Sequence, residues 1–472
     1  MRGRSALTTP AVRGSTRGVT PIVDRTSPTD LMQLAADLPG APMQVAAVLV
    51  LGAAAGLDRA AVRAAIGRRI GAVPRLRQRL LPAPLGGGRP VWADDPDFDP
   101  GRHVDAVRCP APGDEAALLG VVAGIVARRL PRDRPLWSAT LVTSLPAGGT
   151  ALVLVLHHVL ADGLGGLAVL ARLVDGAPAA PDLGPPRPPP DRRALLRDAT
   201  AARLRAPARI PAQCRRLRSA LAHLAAGGVA GPPRSSLNRP TGPGRALAVA
   251  RADLAAVQRA AHDHGATVND VVLTAVSGAL YAVLRHRGEN ADRFVLSVPV
   301  AGRREATAGH LGNQVGVLPV PVTVAGDLSH RLTAVARTTR AGKAAAGDSA
   351  ALLTPVFRLL ARLGAFRWCA DRQRLVTTMV TNLRGPAARH TFLGAPITGI
   401  LPVPPLTGNV TVGFAALSYA GTLVVTVIAD PLRCPDLGLL RARLQRELDD
   451  LAAGATGRTT GAARPVPARP DR

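Results

Sequence analysis

Aromatic residues are scarce, with Trp, Tyr and Phe together making up 2% of 472 residues. The cores must therefore be built from Ala, Val and Leu, and the interleaved bases and aromatics of a nucleic-acid surface are missing. Lysine is almost absent. Lys343 is the single one, yet the formal net charge is +27, so the excess is arginine. The four cysteines, Cys109, Cys214, Cys369 and Cys434, are far apart and form no CxxC pair. That excludes a disulfide framework and a cysteine zinc site. The longest apolar stretch, residues 43–56, is shorter than the roughly 20 residues a membrane-spanning helix requires. No transmembrane helix and no nucleic-acid partner are expected, and the default location is cytoplasmic, with contact to a membrane surface.

Hydrophobic residues are plentiful at 47%, and the length exceeds one ordinary core. Residues 42–52 read as a buried strand, 58–70 as a helix capped by Asp58, and 115–130 as another helix. Two strands at 138–145 and 150–159 flank a Gly-rich turn, and a helix begins near Asp162. Prolines then break the pattern, and residues 185–220 hold ten arginines against Asp191 and Asp198. That stretch reads as a solvated linker, with an amphipathic basic helix as the alternative. Order resumes with helices at 250–265, closed by Gly265, and 267–288, with Asn269 or Asp270 near its start. Strands are expected at 294–300, 315–324, 376–381, 409–417 and 422–429, and a last helix at 436–452. The alternation predicts an α/β fold with mixed sheets. Residues 1–24 and 453–472 read as disordered tails.

The stretch ALVLVLHHVLADGLGG, residues 151–166, carries the chemistry. A histidine titrates near neutrality and can take a proton from an alcohol and return it to a leaving group. His157 and His158 fall at the end of a strand, where neighbours point to opposite faces, so the two have different tasks. Asp162 serves as an N-cap, an ion-pair partner or an orienter of an imidazole. Gly163 permits close backbone approach. A satisfied core pair or metal ligation would also explain adjacent histidines. No HExxH accompanies them, so no metal is expected.

The spacing from His157 to Gly163 resembles the HHxxxDG signature of acyl-CoA-dependent acyltransferases and peptide-synthetase condensation domains. RPLWSATLV (134–142), VNDVVLTAVSGAL (268–280), SVPVAGR (297–303), LGNQVGVLPVPV (311–322), TNLRGP (381–386), LGAPI (393–397) and SYAG (418–421) resemble segments of the bacterial wax ester synthase/diacylglycerol acyltransferase family. SPTDLM (27–32), PMQV (42–45) and FDPGRHV (98–104) extend the likeness toward the N-terminus. The chain departs from the family pattern at Met43-Gln44, at Leu130-Pro131-Arg132 and at Leu383-Arg384.

The resemblance implies two chloramphenicol acetyltransferase-like domains, at 25–176 and 241–452, joined by a crossover at 177–240 and facing each other across an active-site tunnel. It implies transfer of a fatty acyl group from acyl-CoA, as substrate and without a separate cofactor, to diacylglycerol or a long-chain alcohol. His158 would be the general base, with His157 and Asp162 holding the loop. Gly163, Pro135, Leu136, Trp137, Asn269 and Asp270 would shape the substrate site. The arginine surplus would face CoA phosphates and an anionic inner membrane or lipid inclusion. A condensation-type enzyme acting on carrier-bound substrates and an inactive lipid-binding homologue are the alternatives.

Overall fold

The computed structural model describes residues 23–456, apart from 39, 71–72, 179–183, 213, 216–217, 219–230, 302–314, 347–359 and 361–363. The segments read as disordered tails fall mostly outside the described residues. The first half runs through β1 (Asp24–Arg25), α1 (Pro28–Ala36), β2 (Gln44–Leu51), α2 (Arg59–Ile70), β3 (Gln78–Leu81), β4 (Val91–Asp94), β5 (Val104–Arg108), α3 (Glu115–Ala127), β6 (Trp137–Thr143), β7 (Thr150–His157) and α4 (Gly163–Leu173). The second runs through α5 (Arg192–Leu204), β8 (Ala246–Asp253), α6 (Leu254–Asp263), α7 (Val268–His286), β9 (Arg293–Ala301), β10 (Val315–Thr323), α8 (Leu328–Ala346) and α9 (Phe366–Ala370). It continues with β11 (Thr378–Arg384), β12 (Thr391–Phe392), β13 (Ala395–Val403), β14 (Val412–Tyr419), β15 (Thr422–Ala429) and α10 (Leu437–Thr456).

The apolar run of β7 is buried from Ala151 to His157, as befits a central strand covered on both faces. It pairs antiparallel with β2 and β6 in a six-stranded sheet of order β12-β13-β2-β7-β6-β5. A second sheet has the order β10-β9-β11-β14-β15-β8 and mixes parallel with antiparallel pairs. A small sheet, β1-β4-β3, stands apart. One core gathers Ala46, Val48, Val153 and Val155 of the first sheet with Val249, Val424 and Ile428 of the second, so the two halves share buried apolar surface.

The chain crosses between the halves at a place the sequence reading did not single out. Strands β12 and β13 come from the second half, yet β13 pairs with β2 along the edge of the first sheet, Val403 opposite Ala46. A boundary drawn at 241–452 thus misses a strand exchange. The Arg-rich stretch also differs from a plain linker, because α5 is a helix capped by Asp191, with Leu195 and Ala199 buried. Smaller differences have local causes. Helix α3 stops at Ala127 because Arg128 turns extended, residues 250–253 complete β8, and Thr267 caps α7 in a capping box with Asp270. Helix α7 is long and apolar enough to cross a membrane, but 72% of its most apolar window is buried inside the second half.

Candidate active site

Strand β7 delivers the histidine pair. His157 is its last residue and His158 opens the turn that follows, so the two differ because the strand ends between them. Their backbones are fixed separately: His157 N–H donates to Leu136 O at 2.9 Å and His158 N–H to Met43 O at 2.8 Å. His157 is 2% exposed, whereas His158 keeps partial access to solvent.

The His157 ring is hydrogen-bonded on one edge and faces a carboxylate on the other. Its Nδ1 accepts from the Val159 backbone N–H at 3.0 Å, so that nitrogen carries no proton, and the neutral ring is protonated on Nε2. Nε2 faces Asp37 Oδ2 at 3.5 Å. Asp37 is a buried hub that also accepts from Arg129 and Arg132, each at 2.6 Å, and from Met43 N–H at 3.0 Å. Burial opposes its ionisation, but His157, the two arginines and the Met43 amide together outweigh that and hold its carboxyl well below the usual carboxylate range. Arg132 occupies one of the positions where the chain departs from the family pattern.

Gln44, another departure, is equally buried and sits opposite His157 in the β2–β7 register. Its side chain donates to Val126 O at 3.2 Å and Arg128 O at 2.8 Å and accepts from Leu130 N–H at 2.8 Å. Gln44 and Asp37 thus tie the loop after α3 to the strand end that carries the histidines.

Asp162 is the N-cap of α4, accepting from Gly165 N–H at 2.9 Å while 1% exposed. Gly163 begins that helix against the other half. A β-carbon there would lie 2.8 Å from Leu383 Cδ2 of β11, so a larger residue at 163 would have to displace that leucine across the seam. Leu383 is itself one of the departures.

The remaining expected site residues fall in two groups. Pro135, Leu136 and Trp137 are buried in the first half beneath the strand end. Trp137 donates from Nε1 to Leu76 O at 2.8 Å and stacks on His103 at 4.2 Å between ring centroids. Burial pushes the His103 imidazole pKa down, against the pull of the Trp137 carbonyl. These contacts make the segment a rigid floor for β7. Asp270 spends both carboxylate oxygens within the second half, on the N-cap Thr267 at 2.8 Å and on Thr339 of α8 at 2.7 Å. Asn269 lies beside it, half-buried, in the first turn of α7.

A cavity of about 480 Å³ opens between the halves, lined by Leu51, Leu118, Ile400, Leu401, Val424 and the Arg251–Glu115 ion pair, among others. It lies at the other end of β2 and β7 from the histidines, roughly 20 Å away along the strand. Among the described residues no three His, Cys, Asp or Glu side chains gather as a metal site would require.

Asp37 is the residue that sequence reasoning missed. The signal was an acid placed just before the PMQV strand, in a chain with few acids, facing an RRLPRDR loop rich in cations.

Comparison with known proteins places this geometry. Residues 26–272 match the wax ester synthase/diacylglycerol acyltransferase catalytic domain and residues 311–452 the WS/DGAT C-terminal domain. A protein of Mycobacterium tuberculosis named "Probable diacyglycerol O-acyltransferase tgs1" is 32% identical over 414 residues, 84% of this chain and 88% of that one. Among solved structures, the wax ester synthase/diacylglycerol acyltransferase from Marinobacter aquaeolei VT8 superposes with a TM-score of 0.67 at 22% identity, covering 92% of this chain and 100% of that one. The first condensation domain of the calcium-dependent antibiotic synthetase superposes with a TM-score of 0.61 at 21% identity, over 92% and 97%. These last two establish a shared fold, α/β with mixed sheets in two halves. By class, then, the chain is an acyltransferase. It belongs to the wax ester synthase/diacylglycerol acyltransferase family.

Proposed function

We propose that this chain moves a fatty acyl group from acyl-CoA to the hydroxyl of diacylglycerol, or of a long-chain alcohol, with His158 as general base. The carrying observation is the division of labour in the pair. His157 has its acceptor nitrogen occupied by Val159 N–H and its other nitrogen turned to Asp37, which leaves the partly accessible His158 to meet substrate. As the acceptor oxygen attacks the thioester carbonyl, its proton passes to His158. Collapse of the tetrahedral adduct breaks the carbon–sulfur bond, and the departing CoA sulfur takes that proton. A general base contributes about 10²–10⁴-fold, and positioning and donors to the developing oxyanion supply the rest.

The surplus of arginine suits the CoA phosphates. The acceptors dissolve in lipid, so the enzyme works from the cytoplasm at the inner membrane face or at lipid inclusions. Incubation with palmitoyl-CoA plus either hexadecanol or diacylglycerol, with neutral lipids resolved, tests this reading. Formation of wax ester or triacylglycerol is expected, and their ratio identifies the preferred acceptor. If the folded protein forms neither ester, the reading fails.

A further inference from the structure

The Arg-rich helix α5 and the β3–β4 turn form one surface that the catalytic reading does not use. Leu85, at the tip of that turn, is 97% exposed, and Leu204, in the last turn of α5, is 77% exposed. The turn is built to present its leucine: Gly87 N–H donates to Pro84 O at 2.7 Å, and Gly86 and Gly88 both have positive φ. It is joined to the helix where Arg203 donates to Gly86 O at 2.7 Å.

Helix α5 is held from below. Leu195 and Ala199 are buried, and Arg25 pairs with Asp198 at 2.5 Å while also donating to Leu195 O. At about 100° per residue, Arg193, Arg197 and Leu204 fall within roughly 40° of one another on the opposite, outward side. Arg192, Arg193, Arg197, Arg203 and Arg205 are all exposed. Among the described residues none of these five is in ion-pair range of a carboxylate. The helix's two acids are otherwise engaged, Asp191 as the N-cap and Asp198 with Arg25.

We propose that this surface is the docking site for an anionic lipid bilayer, with the arginines set against headgroup phosphates and Leu85 and Leu204 inserted among the upper acyl carbons. Exposed aliphatic side chains ringed by cations on an otherwise anchored helix have the make-up of an interfacial segment. Apolar insertion is what separates a bilayer from a nucleic acid or another polyanion, which the arginines alone would hold.

The proposal rests on the lipid-acceptor reading only in supplying its membrane contact. Vesicle binding is measured without acyl-CoA, so the two succeed or fail separately. The full chain is sedimented with vesicles of phosphatidylcholine alone and of phosphatidylcholine mixed with phosphatidylglycerol. Wild type is expected to bind the anionic vesicles and to be released by salt. R193E/R197E and L85S/L204S should each weaken that binding at least about tenfold while melting like wild type and keeping activity on detergent-dispersed substrate. The milder R193Q/R197Q serves if the reversal misfolds. Binding of a single-stranded oligonucleotide should be unchanged in L85S/L204S. Failure of wild type to bind, equal binding to both vesicle types, or full anionic-vesicle affinity in the leucine variant would overturn the proposal, the last marking a general polyanion surface.

Discussion

His157 Nε2 stands 3.5 Å from Asp37 Oδ2 across 120 residues of sequence, and this contact, with the Val159 amide on the other ring edge, sets the His157 tautomer. Asp37 in turn collects Arg129 and Arg132 from the loop after α3. The acid positions the histidine that positions the base, so its removal acts on catalysis at second hand. Asp37→Asn should lower kcat about tenfold with little change in KM. Asp37→Ala should also cost about 2–3 kcal/mol of stability, a value moderated by the water contact its two arginines keep. Steady-state kinetics and urea melts of the two variants check both numbers.

The acid limb of the stability profile follows from the same group and from Asp175. Burial works against ionisation of Asp175, but the Gly394 amide, Arg69, Thr391 and the Leu393 amide bring its pKa down to about 2. A carboxyl depressed in the folded state adds stability that is complete above its ordinary pKa, about 4, and drains away as pH falls through the folded value. The urea midpoint should therefore drop between about pH 5 and pH 2, and the drop should be shallower in Asp37→Asn and Asp175→Asn.

Asp175 also fastens the exchanged strands. It follows α4 and accepts from Leu393 N–H, Gly394 N–H and Thr391 Oγ1, which brace the β12–β13 hairpin against the first sheet. Asp175→Ala should lower stability by about 1–3 kcal/mol. Limited proteolysis should then cut first between residues 384 and 395.

At the seam, Gly163→Ala should reduce activity because its new methyl meets Leu383. The contact is with a side chain, so it is relievable. Adding Leu383→Ala should recover part of the loss, with a coupling of about 1 kcal/mol in a double-mutant cycle on kcat/KM.

What the sequence made legible was local. The histidines, the capping Asp162 and Gly163 lie within seven residues, and their meaning depends on one strand end and one helix start. The central strands were equally legible, because β7 is an unbroken apolar run. Asp37 was not, since its significance comes from arginines about 90 residues away that only the fold brings near. Strand β13 was obscured by Pro396, Gly399 and Pro402, which punctuate a run that nonetheless pairs with β2. Helix α5 hid its apolar stripe because that stripe is narrow, centred on Leu195 and Ala199 among arginines. Trp137 and Asp270 carried resemblance to substrate-shaping segments, while their observed bonds are to Leu76, Thr267 and Thr339.

The central claim is that the adjacent histidines do different work. Initial rates of ester formation from palmitoyl-CoA, compared for His158→Ala and His157→Gln, test it most directly. In the second variant the glutamine amide would still present an N–H to Asp37 and would lose only the bond from Val159. His158→Ala should fall by about 10² or more, and His157→Gln by less than about tenfold with KM unchanged. Equal loss in the two variants, or a His158→Ala protein that keeps the wild-type rate, would contradict it.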